Sequence, residues 1–335
     1  MPPRTRSELL SPTPHFDNHA KVARFARRVA LRKTINYPWV HNLMSSEAIT
    51  PAPFKLVTSL VVLWLSLLGL PPSTFGQLRE ARTLFQWRGA EAPDSSDDSL
   101  NSDRPSFTPN STTLGKGVFQ IESGYLFSRD KLRGQAPVAS HQLPETQLRW
   151  GLFADWLEFR ISQAFLSQEE MGNTLTGASD TQLGVSLALT NQQGIFPESA
   201  LIPVISVPCG STWATDGIVR SGAALSYSWG FCQHWTLGAS TQMFSEVDDQ
   251  SSESFLATYQ SCYLKRALGE KASTYSEWYA SFPHQATSAL PVHFFNTGIL
   301  FLVTENLQWD ARIGSNLRES DDSFFAGTGL SFRFR

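Results

Sequence analysis

Residues 324–335 read FFAGTGLSFRFR, and this stretch decides how the rest of the chain is read. In a β-strand, Phe324, Ala326, Thr328, Leu330, Phe332 and Phe334 would lie on one face, and Phe325, Gly327, Gly329, Ser331 and Arg333 on the other. A soluble domain usually ends in a few loosely held polar residues, whereas this chain stops within a strand pattern. We therefore expect the last strand to pair with the first, near residues 118–127, because a sheet closed in this way has no unpaired edge.

The same alternation recurs through the preceding two hundred or so residues, with almost no 3.6-residue periodicity. Twelve segments show it: 117–127, 144–153, 156–165, 181–190, 199–207, 219–229, 234–244, 253–264, 273–282, 293–303, 307–317 and 324–334. The segment 199–207 is the weakest because it contains Pro203, which cannot donate a ladder hydrogen bond. The pattern predicts an all-β fold, a transmembrane antiparallel β-barrel of about 12 strands. Ten or fourteen strands remain open.

Connections between these segments alternate in length. Residues 153–156, 191–194, 230–233 and 304–306 give tight turns, whereas 128–143, 166–180, 208–217, 245–253 and 283–292 are longer. Outer-membrane barrels combine short periplasmic turns with longer outer loops. A soluble periplasmic β-sandwich shares the period of two, so it stays open as an alternative; it predicts a protein that needs no detergent.

Charged side chains fall mainly on the less apolar face of these segments. If that face is inward, the lumen carries Glu122, Glu145, Arg149, Glu158, Arg160, Arg220, Glu277, Asp310, Arg312 and Arg333. Charges are tolerated in the lumen of a barrel and are destabilising on its lipid face. Two interpretations remain open: a salt-bridged network that fills a narrow lumen, and a constriction that selects what passes.

The N-terminal third has a different character. Residues 1–76 carry nine Lys or Arg against three Asp or Glu, while the remainder is acidic. The apolar run 56–70 suits a signal peptide better than a membrane anchor. We predict a non-structural extension at 1–43, a signal peptide at 44–76 with a start at Met44, a disordered linker at 77–113, rich in Ser, Asp and Pro, and an outer-membrane β-barrel at 114–335.

Motifs for chemistry are missing from the sequence. GxSxG, HExxH and Walker patterns do not occur, the three cysteines match no zinc spacing, and we predict no enzyme, metal or cofactor. An outer-membrane hydrolase built on His141, His234, His284 or His293 and a serine is a minor alternative, as is a disulfide between Cys232 and Cys262. Because the body is acidic, nucleic acid is not an expected partner.

Several stretches resemble a known family. Asp103-Arg104-Pro105, residues 144–160 and the region from Asp310 to the end are similar to the outer-membrane family labelled MetA-pathway of phenol degradation, or simply transporter. The terminal GLSFRF also resembles the C-terminal strand signal that outer-membrane barrels share.

The resemblance implies a channel or transporter for passive or facilitated passage of small, aromatic or hydrophobic solutes, in the outer membrane of a bacterium with a two-membrane envelope. Its partners would be outer-membrane lipid, the solute, and the barrel-assembly machinery acting on the C-terminal strand. The alternative is a structural or adhesive barrel whose filled lumen conducts nothing.

Overall fold

A computed structural model describes residues 83–84, 100–130, 137–170, 172–192, 194–232, 234–248, 251–286, 290–317 and 323–335. These residues form thirteen β-strands. The strands are β1 (Phe119–Asp130), β2 (Val138–Gly151), β3 (Leu157–Glu170), β4 (Asn173–Ala178), β5 (Thr181–Thr190), β6 (Glu198–Val207), β7 (Arg220–Phe231), β8 (Trp235–Val247), β9 (Ser254–Ala267), β10 (Ala272–His284), β11 (Val292–Thr304), β12 (Leu307–Asn316) and β13 (Phe324–Phe334). Within the described ranges, no helix has the length and apolarity needed to span a membrane.

The sheet closes through its first and last strands. β13 pairs antiparallel with β1 from Phe334 opposite Phe119 to Phe324 opposite Arg129. All strands except β4 follow one another around the sheet in chain order, and they form a closed antiparallel barrel of twelve strands. The predicted fold class, strand number and closure are therefore confirmed. Closure satisfies the backbone groups that an open edge would leave unpaired.

Burial in the barrel is reversed relative to a soluble protein. The largest fully buried side chains include Arg149, Arg220, Gln120, Glu122, Glu158, Glu277, Asn296 and Asp310. Large apolar side chains lie outside, among them Trp150, Phe159, Ile161, Leu225, Met243, Phe301, Trp309, Leu330 and Phe332. A soluble sandwich would bury the apolar face, so this arrangement contradicts that alternative and suits an exterior in hydrocarbon.

β4 lies inside the segment 166–180, for which we predicted a long connection, so that prediction is wrong. β3 continues to Glu170, and its last part pairs with β4 while residues 157–162 pair with β5. The sequence NTLTGA has small and polar residues on both faces. It therefore lacks the apolar face by which the membrane strands were recognised.

The linker prediction is wrong for residues 100–113. This stretch and Leu114, together called the lumen segment (residues 100–114), lie inside the barrel, where Asp103, Arg104 and Phe107 are buried. Its Ser, Asp and Asn content favours disorder in water, but inside the lumen the same groups find hydrogen-bond partners on the wall. The predicted extension (1–43) and signal peptide (44–76) lie outside the described residues, as does most of the remaining linker.

Candidate functional site: a charged lumen occupied by residues 100–114

Glu122 on β1 holds the start of the lumen segment. Its carboxylate accepts hydrogen bonds from the backbone N–H groups of Asp103 and Arg104, each at 3.2 Å, and from the Ser102 hydroxyl at 2.9 Å. Ser102 also lies 2.6 Å from the hydroxyl of Ser331 on β13. A carboxylate with several such donors is a strong anchor, because hydrogen bonds to charged groups are stronger than neutral ones.

Asp103 links the lumen segment to the neighbouring strands β2 and β3. Its Oδ2 accepts from Arg160 Nη1 and from Gln147 Nε2, both at 2.7 Å, and Arg149 Nη1 lies 3.7 Å from Oδ1. Burial alone would raise the pKa of this carboxyl, but the charges of Arg149 and Arg160, together with hydrogen bonds from the Asn110 N–H and Gln147, lower the pKa to about 2. Asp103 is therefore an ionised partner of the wall arginines at neutral pH.

Arg104 lies across the closing strands. Its guanidinium donates to Glu145 at 3.0 Å and to both oxygens of Asp310 at 3.2 and 3.4 Å. Gly124 and Gly329, which pair across β1 and β13, leave the room it occupies. A Cβ added at either glycine would come within 2.3 Å of the Arg104 guanidinium. The two glycines form a notch that fits this one side chain.

The wall beneath Asp103 is a network of charged pairs. Arg149 binds Glu158 through two hydrogen bonds, at 2.7 and 3.0 Å, and reaches Glu122 at 3.0 Å. Arg160 shares Glu158 at 2.8 Å. Because β2 and β3 join through a tight turn, Arg149 and Arg160 lie directly opposite each other in register. The acidic residues between them offset both the repulsion and the cost of burial.

Phe107 fills the lumen near Glu277. The backbone N–H groups of Phe107 and Thr108 donate to the Glu277 carboxylate at 2.8–3.0 Å. The Phe107 ring packs against Tyr279 and Phe325, with ring centroids 3.9 and 5.5 Å away. Together with Leu126, Val292 and Phe294 these residues form a buried apolar cluster inside the barrel.

The end of the lumen segment crosses to the far wall. The Ser111 hydroxyl lies 2.6 Å from Glu198 and 2.9 Å from the Ser228 hydroxyl, on β6 and β7. The chain then returns, and the Leu114 N–H donates to Glu158 at 2.8 Å. The segment thus contacts the wall on several sides and occupies the lumen as a folded strap.

The structure divides the ten predicted lumen residues into groups. Glu122, Glu145, Arg149, Glu158, Arg160, Glu277, Asp310 and Arg312 all contact the lumen segment or its direct partners, Arg312 through the Pro105 carbonyl at 2.6 Å. Arg220 instead binds Asp216 and Glu246, and Arg333 binds the 305–306 turn. The last two are buried as well.

Sequence reasoning missed Asp103 and Arg104 as site residues. The Asp-Arg-Pro motif was visible as part of the family resemblance, but polar composition placed it in a linker. The available signal was the pair of inward carboxylates, Glu145 and Asp310. Buried carboxylates need a partner of opposite charge, and Arg104 could have been considered as that partner.

Contacts of two of the four histidines, and the state of all three cysteines, bear on the minor alternatives. His141 forms a hydrogen bond with the Tyr125 hydroxyl at 2.7 Å, and His284 forms one with the Thr258 hydroxyl at 2.8 Å. A hydrolase would need a histidine in contact with a serine, and neither of these hydrogen bonds is such a contact. Cys209, Cys232 and Cys262 are free, and the disulfide considered above is not formed. Among the described residues, no cluster of three or more His, Cys, Asp or Glu could hold a metal ion.

Comparison with known proteins identifies the family. The family model described as "Putative MetA-pathway of phenol degradation" matches residues 102–334. The chain therefore belongs to this family, which confirms the resemblance. No curated protein sequence matches the chain.

Solved structures support the fold. An outer membrane channel from Pseudomonas putida F1 is similar at 12% identity and a TM-score of 0.55, over 67% of this chain and 98% of that chain. The NanC porin follows at 10% identity and a TM-score of 0.43, over 63% and 98%. At these identities the first likeness concerns the fold alone, and the second is too weak for further argument.

Proposed function

We propose that this member of the phenol-degradation family is an outer-membrane channel that admits small solutes when the lumen segment leaves its docked position. The observation that carries the proposal is the way in which the lumen is filled. It is occupied by the lumen segment, residues 100–114, which is held by hydrogen bonds and ion pairs, and not by side chains of the barrel wall alone.

The aromatic side chains inside the barrel support the proposal that the solutes are aromatic or hydrophobic. Phe107 is the one large apolar side chain that the strap inserts into the cluster of Tyr279, Phe294 and Phe325. If the strap moves, these rings become an apolar surface inside the barrel. Aromatic side chains stack with aromatic ligands in offset or edge-on geometries. The charged network beside them would then act on the polar part of a solute.

The filled lumen also favours the alternative, a structural or adhesive barrel that conducts nothing. The lumen segment makes many contacts with the wall. If it never moves, it blocks passage through the barrel. The two functions differ in whether the lumen segment can leave its docked position. The structure offers a direct way to control this movement.

Ser102 and Ser331 provide a lock for the experiment. Their hydroxyl oxygens are 2.6 Å apart, so cysteines at both positions are close enough for a disulfide between strap and wall. The background would carry serine at the three native cysteines, which are free. Purified Ser102→Cys/Ser331→Cys protein, with Arg104→Met to weaken docking, is compared oxidised and reduced in liposomes.

We expect uptake of a small aromatic solute by the reduced protein and little uptake by the oxidised protein. A matched pair at Ser111 and Ser228, whose hydroxyls are 2.9 Å apart, should behave in the same way. If neither protein shows uptake or conductance in any redox state, the channel is rejected in favour of the structural barrel. Equal uptake in both states would show that the strap does not control passage.

A further inference from the structure

A cavity lined mainly by charged, amide and hydroxyl residues lies beside the lumen segment, against the wall formed by β2, β3 and β5. It contains about 630 Å³ of empty space, counting the part open to solvent. Its lining includes Arg104 and the acidic residues Asp103, Glu122, Glu145 and Asp180. Most of the other lining side chains are glutamines and hydroxyl residues, among them Gln142, Gln182 and Ser162.

Three of the four acidic residues already have cationic partners. Asp103 pairs with Arg160, Glu122 with Arg149, and Glu145 with Arg104, at 2.7–3.0 Å. These carboxylates belong to the network that holds the lumen segment. They contribute to the electrostatic potential of the cavity. Because each already has a cationic partner, none of them is available as the main partner of a ligand.

Asp180 differs from the other three. It is 4% exposed, and its Oδ1 accepts a hydrogen bond from the Gly210 N–H at 3.0 Å. Its Oδ2 is buried and has no hydrogen-bond partner among the described residues. No described Lys or Arg lies within ion-pair distance of it. A buried carboxylate in this state is costly unless something binds it.

The charge balance around the cavity is negative. The lining residues and their ion-pair partners comprise the carboxylates Asp103, Glu122, Glu145, Asp180 and Asp310 and the guanidiniums Arg104, Arg149 and Arg160. Arg312, close to Pro105, adds one more positive charge on the far side. Acidic groups still outnumber basic ones, so the cavity attracts cations and repels anions.

We propose that this cavity is a binding site for a small organic cation that carries a primary ammonium group, with Asp180 as its ion-pair partner. An ammonium group donates three hydrogen bonds and accepts none, which matches a carboxylate next to glutamine side chains. A metal ion is a poorer match, because the described residues contain no cluster of metal-ligating side chains. Binding of this cation does not depend on the proposed channel function.

Binding can be measured without a membrane. Saturation-transfer NMR on the detergent-solubilised full chain would compare propylammonium, propanol and propanoate, which share an alkyl chain and differ in charge. The variants are Asp180→Asn, which keeps the Oδ1 acceptor for Gly210, and Glu253→Gln as a control of equal charge change on the exposed outer loop. Heat-modifiable migration on gels would show that each variant is folded.

Wild-type protein should bind propylammonium most strongly and propanoate least. Asp180→Asn should weaken propylammonium binding at least about fivefold, the effect of one unit charge about 4 Å away at the dielectric of bulk water, and more strongly as the local dielectric falls. Glu253→Gln should leave it unchanged. Equal propylammonium binding by folded Asp180→Asn, or equal binding of propanoate and propylammonium by wild type, would overturn the site. Those results would leave the channel proposal standing, whereas absent conductance in bilayers would reject the channel and leave the site standing.

Discussion

Replacing Arg104 by Met is the most direct test of how the lumen segment is held. Methionine fills much of the space of the arginine stem but has no guanidinium. The change removes the contacts with Glu145 at 3.0 Å and Asp310 at 3.2 Å, on a side chain that is only 8% exposed. Both carboxylates would remain on the barrel wall without this partner.

The magnitude follows from the burial of these pairs. Removing one partner of a buried ion pair costs about 3–5 kcal/mol, because the other charge stays desolvated. Undocking exposes Glu145 and Asp310 to water, so the cost falls on the docked state alone. With about 3 kcal/mol, the ratio of docked to undocked segment falls by roughly 150-fold. A segment that is undocked about 0.1% of the time would become undocked more than about 10% of the time.

Single-channel recording in planar bilayers would measure this change as open probability. Arg104→Lys keeps the charge but loses the planar fork, so it should lie between wild type and Arg104→Met. Arg129→Met is the matched control, because Arg129 is exposed at the end of β1. A folded Arg104→Met protein with the same open probability as wild type would refute the reasoning, as would an equal increase in Arg129→Met.

Three further changes test the same docking. Gly329→Ala would bring a Cβ within 2.3 Å of Arg104 Nε and should raise solute uptake, whereas Gly184→Ala, with its nearest contact at 3.2 Å, should not; equal uptake would contradict the notch. Glu277→Gln removes the charge that receives two backbone N–H groups of the segment, so protease cleavage within residues 100–114 should become faster in folded protein, by about tenfold for a loss of about 1.5 kcal/mol. Because the pKa of Asp103 is lowered from 3.8 to about 2, its contribution to docking is complete above about pH 4 and is lost as the pH falls through about 2. Conductance should therefore rise on acidification across that window, and a wild-type rise that persists unchanged in Asp103→Asn would exclude this carboxylate as its source.

β4 and the lumen segment share the physical property that hides them in the sequence. β4 and the lumen segment were both assigned to irregular chain because neither carries an apolar face. Alternation detects a strand only where one side meets lipid and the other does not. β4 pairs with the extension of β3, and the lumen segment contacts polar groups on the wall, so both are stabilised by partners distant in sequence.

By itself, the sequence determined the barrel. Alternating side chains from 117 to 334 required two unlike faces, and the pattern of the last strand, from Phe324 to Phe334, indicated that it closes onto the first. Period-two alternation is a local property, so each strand carries its own evidence. The same alternation predicted which charged side chains point into the lumen.

Only the tertiary structure decided what those inward charges bind. Arg104 meets Glu145 and Asp310, which are 41 and 206 residues away along the chain, in a notch between glycines of two different strands. Nothing local to residues 100–114 distinguishes a strap inside a barrel from a linker in water. The difference arises because closing the barrel creates a confined polar interior in which buried carboxylates need partners, and the strap supplies them.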